Sequence, residues 1–502
     1  MKELLLAIDL GTSFIKTGVY DTRGLALISF REPVRSHTEA GGIFLQDGQE
    51  IFESTLRGIR RCTSFLGEES RRISAMAFTG QMAGVIGVGE GWRDVTGWSC
   101  SLDSRYLPWA DRQMLTMSTD FLSIGGTNSP LMAPKIVWFQ DAFPEKASEV
   151  IRYMLISGYI AGRLGEGRVE DAAIGSSYVT WTGLCDIRSL SWSEELCEAV
   201  GISPEVLPRI VDGTAVIGQL AKTHASTLNL PAGIPLIAGA GDKISGCVGA
   251  GILETGDTIF EASSYGAISS VQQGYRENPE RHDYDAIPAF GEGQYYLHRY
   301  LPGSGMTLQW FLDQFATQEG FMKMEHAIRG IPPGSDGLLA LGLFNGSAMP
   351  LDGSIRGAFA GCTWQHTKAH FYRALLESYA YEIAATMDSI AHMYPEWDRR
   401  TPVRMIGGGA GSDTWMQIMA DVTGNQFLRG DRDDEALLGC AMLAGRGIGV
   451  LDSLRKREIT GGESRIFEPD EKAHAFYSRL SKVYEEMKAN LVGTWKELQT
   501  IG

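Results

Sequence analysis

The sequence predicts an α/β protein built from two similar lobes, and three observations support this prediction. The 502 residues exceed the size of one ordinary hydrophobic core, so we expect two domains of roughly 200 to 250 residues each. Strand patterns alternate with helical periods, which is typical of an α/β fold. The strand pattern of the N-terminus returns in the second half of the chain. This return indicates an approximate duplication.

The first lobe is predicted to begin with a three-stranded meander. Apolar runs predict strands over Leu4–Ile8, Phe14–Tyr20 and Leu25–Phe30, with polar turns between them. A helical period follows from about Asp47 to Cys62, and a further apolar strand covers Ile73–Phe78.

The second lobe repeats this beginning. Predicted strands over Thr258–Ala262 and Ala267–Val271 flank the turn Ser263-Ser264-Tyr265-Gly266. We therefore divide the chain into an N-terminal lobe, residues 1–248, and a C-terminal lobe, residues 249–502. The last helix, about Asp470 to Leu498, is expected to dock through one apolar stripe. The predicted stripe contains Phe476, Leu480, Val483, Tyr484, Met487, Leu491 and Trp495.

Composition and charge restrict the function. A formal net charge of −16 argues against non-specific binding to nucleic acid or to an anionic membrane. The seven cysteines are scattered without CxxC spacing, which favours reduced thiols in the cytoplasm. The N-terminus predicts neither a signal peptide nor a membrane span.

The first candidate motif is Asp9-Leu10-Gly11-Thr12-Ser13 with Lys16. A strand that ends in Asp and turns through Gly-Thr-Ser exposes backbone N–H groups and hydroxyls that can hold phosphate oxygens. Asp9 could hold a hydrated Mg²⁺ ion, and Lys16 could reach the same anion. An ordinary hairpin turn uses the same residue types and stays open as an alternative.

The second motif is an apolar strand that ends in glycines and then Asp242. Ligands of open α/β sheets lie at such carboxyl ends of strands. A carboxylate there can accept the proton of a substrate hydroxyl that attacks a γ-phosphoryl group. The alternative is that Asp242 only caps the helix that follows.

A third motif runs from Met405 through Gly407–Gly411 into an amphipathic helix. Glycine allows the backbone to approach a flat ligand or a phosphate closely, but this run is not the dinucleotide fingerprint GxGxxG. The acidic stretch Asp431–Glu435 then precedes a helix of small residues, for which tight helix packing is the alternative explanation. His366 and His370 could share a helix face, yet no carboxylate partner completes a metal motif.

Taken together and in this order, the motifs resemble those of the FGGY carbohydrate kinases, in the superfamily of actin, hexokinase and the chaperone ATPases. The resemblance spans nearly the whole chain. It implies two ribonuclease H-like lobes with a central interlobe cleft, ATP with Mg²⁺, and a small sugar as substrate. A homodimer is common in the family.

The resemblance also implies residue roles. Asp242 corresponds to the catalytic base, and Asp9 to the residue that orients Mg²⁺ through water. The implied nucleotide contacts are Thr12, Ser13, Lys16, Ser264, Gly305, Gln309, Gly408, Gly409 and Asp413. The implied sugar contacts are Gln81, Met82, Ala83, Asp103, Arg105, Asp242 and Lys243.

Within the family, the sequence looks most like the xylulose kinases, chiefly through Thr79-Gly80-Gln81-Met82, Asp103-Ser104-Arg105 and Ala133-Pro134-Lys135. We therefore expect a pentulose such as D-xylulose as substrate, with the 5-phosphate as product.

Several positions depart from the family pattern. Xylulose kinases usually carry His at the position of Ala83 and Asn at that of Lys243, so hydroxyl-recognising groups are lost and a charge is added. The turn Ser263–Gly266 also differs from the usual Gly-Thr-Ser-Gly. Another ketose, a polyol or an aldonate stays open as substrate. So does a catalytically weakened sensor, whereas a chaperone-like ATPase lacks support because no peptide-binding domain follows.

Overall fold

The computed structural model describes residues 3–39, 41–317, 320–349, 351–430, 434–454 and 465–501. The chain forms two compact units. Unit 1 comprises Met1–Leu253, Ala286–Gln294 and Asp434–Thr460, and unit 2 comprises Glu254–Asp285, Tyr295–Asp433 and Gly461–Gly502. The predicted boundary between residues 248 and 249 stays a prediction. Of the predicted acidic stretch, residues 431–433 lie outside the described residues.

A six-stranded sheet forms the centre of unit 1. Its strands are β1 (Leu4–Leu10), β2 (Phe14–Asp21), β3 (Ala26–Pro33), β4 (Ile73–Gly80), β5 (Val216–Gln219) and β6 (Pro235–Gly241). They lie in the order β5-β6-β4-β1-β2-β3. β1, β4 and β6 run parallel, and the other neighbours pair antiparallel. Every residue of β1 is buried, as expected for a parallel strand that is covered on both faces.

Unit 2 repeats this plan. Its strands are β7 (Thr258–Glu261), β8 (Gly266–Gln273), β9 (Gln294–Leu301), β10 (Val403–Ile406), β11 (Phe427–Arg429) and β12 (Ile466–Phe467), in the order β9-β8-β7-β10-β11-β12. β7 pairs antiparallel with β8 and parallel with β10, as β1 does with β2 and β4. The predicted strands at the start of both lobes are therefore present, and the shared strand order supports the predicted duplication.

The chain contains further helices and shorter strands. The α-helices of unit 1 are Gly48–Leu66, Leu107–Ser123, Met132–Ala142, Pro144–Ala147, Ile156–Gly165, Glu194–Val200, Lys222–Leu228, Asp242–Ala250 and Glu435–Gly447. Those of unit 2 are Ser304–Phe315, Gly320–Ile328, Lys368–Met393, Asp413–Thr423 and Glu471–Ile501. The shorter strands are His37–Glu39, Ile43–Gln46, Ile86–Val88, Trp98–Ser99, Arg152–Met154, Ala173–Gly175, Cys185–Asp186, Ser191–Trp192, Arg209–Val211, Asp285–Pro288, Leu339–Leu341, Ser347–Ala348, Leu351–Asp352 and Ala358–Ala360.

Two helices of unit 1 pack against each other through glycines. A Cβ atom on Gly439 of the helix Glu435–Gly447 would lie 1.9 Å from the carbonyl oxygen of Ser245. A Cβ on Gly249 would lie 2.0 Å from the carbonyl oxygen of Glu435. The small residues of this helix thus permit tight helix packing, the alternative that the sequence left open.

The C-terminal helix Glu471–Ile501 packs through most of the predicted stripe, with Tyr477 added to it and with Phe476 and Val483 left exposed. Tyr477, Tyr484 and Trp495 are buried, whereas Phe476 and Val483 are 42% and 47% exposed. Hydrogen bonds explain why the two tyrosine side chains are buried. The hydroxyl groups of Tyr477 and Tyr484 each donate a hydrogen bond of 2.7 Å to a buried glutamate, Glu377 or Glu382.

Three smaller observations complete the fold. His366 precedes the helix Lys368–Met393, so it does not share a helix face with His370, contrary to the prediction. Within the described ranges, no three His, Cys, Asp or Glu side chains are grouped as metal ligands, and no helix there has both the length and the apolar character needed to cross a membrane.

Candidate active site

The carboxyl ends of three adjacent parallel strands meet in unit 1. Asp9 of β1 pairs with Thr79 of β4, which also pairs with Ala240 of β6. The N–H of Gln81 donates to the carbonyl oxygen of Leu10 at 3.2 Å. The fold thereby brings together predicted residues from separate motifs at the edge of the sheet where ligands of α/β folds bind.

Asp9 is held in a crowded electrostatic environment. It is 7% exposed, and its carboxylate lies 3.8 Å from the ammonium group of Lys16. Burial raises the pKa of Asp9 to about 7; Lys16 and Lys243 oppose this rise, and the charges of Asp242 and Asp434 add to it. Three carboxylates and two ammonium groups therefore share this edge of the sheet.

Several buried polar atoms at this edge lack a hydrogen-bond partner among the described residues. They are Asp9 Oδ1, Thr79 Oγ1 and Gln81 Nε2. Buried polar atoms are nearly always satisfied, so such a concentration is typical of a ligand site. For hydrated Mg²⁺, the residues fit: Asp9 offers one carboxylate oxygen without a partner in the described part of the chain, the charges of Asp242 and Asp434 act on it, and Mg²⁺ needs few protein ligands because it keeps several waters.

Asp242 begins the helix that follows β6. The N-cap is Gly241 and Asp242 is the first helical residue, so it does not serve as the N-cap, although its Oδ1 accepts the N–H of Lys243 at 2.8 Å. The end of β6 is fixed by its neighbours: Tyr178 donates to the carbonyl oxygen of Ala240 at 2.8 Å, and the hydroxyl of Ser177 accepts the N–H of Gly241 at 3.3 Å.

Glycine brings the strand ends close together. A Cβ on Gly239, where φ is +71°, would lie 1.7 Å from the carbonyl oxygen of Phe78. A Cβ on Gly241 would lie 2.3 Å from the side chain of Met82. Met82 is buried and lies beside the start of the Asp242 helix, and Ala83 is partly exposed.

The remaining predicted sugar residues are paired with each other. Arg105 donates two hydrogen bonds of 2.8 Å to the carboxylate of Asp103, and Ser99 donates a third at 2.6 Å. Burial opposes the ionisation of Asp103, but the bonds from Arg105 and Ser99 outweigh it and hold the pKa below its usual value. The same loop reaches Gln81, whose Oε1 accepts the indole N–H of Trp98 at 3.4 Å.

In unit 2, the turn at Ser263–Gly266 contacts two glycine-containing segments. The N–H of Gly305 donates to the carbonyl oxygen of Ser263 at 3.0 Å, and the N–H of Gly409 donates to that of Ala262 at 2.9 Å. A Cβ on Gly305 would lie 2.5 Å from the Ser263 oxygen, whereas one on Gly408 would meet open space. The structure thus brings together Ser264, Gly305, Gly408 and Gly409, and Ser264 is exposed there.

The two other predicted nucleotide residues have protein partners. Gln309 is exposed and donates to Asp313 at 2.7 Å. Asp413 accepts hydrogen bonds of 2.5 Å from both Arg429 and Arg465. The bond from Arg429 is the largest influence that lowers the pKa of Asp413, so this carboxylate is ionised and neutralised by two guanidinium groups.

A buried acid that the motifs did not indicate fixes the glycine loop. Glu325 is 3% exposed. Its carboxylate accepts the hydroxyl of Ser412 at 2.6 Å and both the N–H and the hydroxyl of Thr414, at 3.0 and 2.7 Å. These residues begin the helix Asp413–Thr423, directly after the loop Gly408–Gly411.

Comparison with known proteins identifies the family. The profile described as "FGGY family of carbohydrate kinases, N-terminal domain" matches residues 4–249, and that of the C-terminal domain matches residues 263–448. The chain belongs to the FGGY family of carbohydrate kinases. This result confirms the resemblance that the motifs predicted.

Individual FGGY proteins match over their full length. A xylulose kinase of Bacillus subtilis is 26% identical over 509 residues, covering 99% of this chain and 98% of the relative. A gluconokinase of the same species is 24% identical, with the same coverage of both chains. The crystal structure of a gluconate kinase from Lactobacillus acidophilus superimposes with a TM-score of 0.91 at 21% identity, covering 99% of this chain and all of the other. The predicted fold of two ribonuclease H-like lobes is confirmed.

One acid beside the candidate site in unit 1 was not among the predicted site residues. Asp434 accepts a hydrogen bond of 2.7 Å from Lys16, closer than the contact between Lys16 and Asp9. It lies directly before the helix Glu435–Gly447, in an acidic stretch that the sequence suggested only as a helix start. No local signal connects it with a residue 418 positions earlier in the chain.

Proposed function

We propose that this protein transfers the γ-phosphoryl group of ATP to a hydroxyl group of a small sugar, with Asp242 as the general base. One observation supports this above all: Asp9 lies near the carboxyl end of β1 and Asp242 directly follows β6, and the carboxyl ends of these parallel strands meet at β4 between them. A nearby buried donor, Gln81 Nε2, has no hydrogen-bond partner in the part of the chain that the structure describes. A sugar oxygen would supply that partner.

Asp242 is proposed to accept the proton of the attacking hydroxyl. It is half-buried at the start of a helix, whose positive end favours the carboxylate form. A positioned base of this kind contributes about 100- to 10,000-fold to a rate. Asp9, together with Asp434, is the proposed holder of hydrated Mg²⁺, which would supply positive charge to the phosphate oxygens when bound.

We propose nucleotide contacts for each unit separately. In unit 1, the partly exposed Thr12 and the exposed Ser13, followed in the chain by the partly exposed Lys16, offer hydroxyl and ammonium donors to phosphate oxygens. In unit 2, the open surface above Gly408 and the exposed hydroxyl of Ser264 are the proposed nucleotide contacts. Gln309 and Asp413 remain proposed contacts, and Asp413 would act through its arginine partners.

The proposed sugar is a pentulose such as D-xylulose, phosphorylated at O5. The full-length match to a xylulose kinase supports this choice. The buried Met82 and the unpartnered donor of Gln81 are the proposed contacts to the substrate, while Asp103 and Arg105 would shape the site as an ion pair.

A second candidate substrate is an aldonate. Lys243 follows the proposed base directly and its charge acts on Asp9, so it also adds positive charge where a substrate carboxylate could bind. The match to a gluconokinase, at an identity close to that of the xylulose kinase, supports the same candidate.

The test is ADP release coupled to a reporter enzyme, with ATP and Mg²⁺, across pentuloses, hexuloses, polyols and aldonates. We expect one sugar to give turnover that Asp242→Asn lowers about 100-fold or more, with nucleotide binding retained. Asp398→Asn is the matched control, because Asp398 is exposed and pairs only with the neighbouring Arg400 among the described contacts. A rate of ADP release that is the same with and without each sugar would indicate an ATPase, and sugar binding without turnover would indicate a sensor.

A further inference from the structure

Lys135 carries an ammonium group in the interior of unit 1. The residue is 0% exposed. Its Nζ donates to the hydroxyl of Ser99 at 3.0 Å and to the carbonyl oxygens of Cys100 and Asp103 at 2.7 and 3.2 Å. It also lies 4.0 Å from the centre of the Tyr106 ring. All three ammonium protons are therefore directed to one loop, which we call the 99–106 loop.

The ammonium group makes no direct salt bridge among the described contacts. The carboxylate of Asp103 is bonded to Arg105 and to Ser99 instead. Fully buried lysines are rare unless they are paired with an acid, and taking such a charge out of water is costly. Here the hydrogen-bond acceptors of the ammonium group are neutral oxygens of the loop and not a carboxylate.

The 99–106 loop leads directly to the proposed sugar residues. Asp103 and Arg105 belong to it, and Arg105 also stacks 4.3 Å from the ring of Trp138. Trp98, the residue directly before the loop, donates a hydrogen bond to the side chain of Gln81. A change in the loop would therefore move several proposed sugar contacts together.

We propose that Lys135 is a positioning residue for the sugar, whose ammonium group fixes the 99–106 loop and through it Gln81 and Arg105. This inference rests on the proposed function. It assigns to Lys135 no contact with the sugar and no part in binding ATP.

The same geometry predicts a dependence on pH. Burial lowers the pKa of Lys135 to about 8; Asp103 and Cys100 oppose this shift and Arg105 adds to it. The ammonium form, which the loop requires, is therefore lost as the pH rises through about 8. We expect the KM for the sugar to rise above that pH while the KM for ATP does not.

The experiment compares Lys135→Met with Lys146→Met. Lys135 and Lys146 both line a cavity of about 170 Å³, but Lys146 is exposed and its Nζ lies 6.0 Å from the centre of the Phe143 ring. We expect Lys135→Met to raise the sugar KM tenfold or more, to leave the ATP KM within twofold of wild type, and to abolish the alkaline rise. Lys146→Met should change none of these.

Two results would overturn the inference. One is a sugar KM within twofold of wild type in Lys135→Met. The other is a loss that affects both substrates and the melting temperature together, which would indicate a structural role. Should that variant fail to fold, the wild-type profile decides, because a sugar KM that stays flat up to pH 9.5 excludes the ammonium form as the requirement. Absence of turnover in wild type with every sugar would instead refute the proposed function.

Discussion

The contact between Gly249 and the facing helix makes a substitution informative. Gly249 lies in the helix that begins with Asp242, and a Cβ there would lie 2.0 Å from the carbonyl oxygen of Glu435 and 2.9 Å from the nitrogen of Gly439. Both atoms are backbone and cannot rotate away. Ordinary contact begins at 3.4 Å, so Gly249→Ala would force the two helices apart by roughly 1 Å or more.

The expected effects follow from this displacement. Overpacking costs about 1–3 kcal/mol, and the higher helix propensity of alanine offsets about 1 kcal/mol of it. The effect on turnover is larger, since a 1 Å misplacement of catalytic groups can lower a rate about 100-fold. The displaced helix carries the proposed base, so we expect activity to fall more than stability.

The matched control is Gly246→Ala, one turn earlier in the same helix. A Cβ on Gly246 would meet open space, so this variant should gain about 1 kcal/mol from helix propensity alone and retain turnover. Thermal unfolding and coupled ADP release measure both quantities. Equal melting temperatures and equal turnover in the two variants would refute the reasoning. Both replace glycine by alanine in the same helix, and the added Cβ meets the facing helix backbone only in Gly249→Ala.

Two further variants test buried acids of unit 2. Glu325→Gln should raise the KM for ATP several-fold and lower the melting temperature, since an amide cannot accept all the bonds that now fix Thr414 and its loop; an unchanged ATP KM would contradict this. Burial alone would raise the pKa of Glu382, but the positive charges of Lys488 and Arg299 lower it to about 2. Because this value lies below the unfolded value of 4.5, the stabilisation is present above pH 4.5 and is lost as the pH falls towards 2. The free energy of unfolding measured with urea should therefore differ less between wild type and Glu382→Gln as the pH falls from 4.5 towards 2. A difference that stays constant over this pH range would contradict the lowered pKa of Glu382.

The sheets could be predicted from sequence because their signal is local. The buried runs Leu4–Leu10 and Ile73–Gly80 are apolar almost throughout, and such runs predict buried strands. Both runs extend two residues beyond the predicted strands, into Asp9-Leu10 and Thr79-Gly80. Strand pairing continues there because Asp9 pairs with Lys16 across the hairpin, which an apolar pattern does not detect.

The C-terminal helix shows why apolar patterns fail elsewhere. The predicted stripe counted Phe476 as buried and ignored Tyr477. The structure reverses them, since a buried glutamate, Glu377, accepts the hydroxyl of Tyr477 at 2.7 Å. Glu377 itself is paired with the buried Arg373 at 2.9 Å. A pattern that treats charged residues as exposed cannot find such a network.

The candidate site also contains residues that the sequence indicated and residues that it did not. Asp9 and Asp242 could be proposed from sequence because each lies at the end of an apolar strand that runs into a turn, and Gln81 could be proposed from the family resemblance. Asp434 could not, since it is joined to Lys16 across 418 positions. The resemblance placed Lys135 in a motif but gave no indication that its ammonium group is buried in a loop of neutral oxygens.

The pairing of polar groups in unit 1 bears directly on the choice of sugar. Asp103 and Arg105 satisfy each other, and Ala83 offers no hydrogen bond from its side chain. Among the proposed sugar residues, Gln81 thus has the unpartnered buried donor, and Lys243 contributes positive charge. A site that binds a hydroxyl through its own buried polar groups discriminates strongly, whereas apolar contacts such as that of Met82 discriminate by about 10- to 200-fold. Discrimination between D-xylulose and an aldonate should therefore depend mainly on charge, and Lys243→Asn should shift the preference towards the neutral sugar.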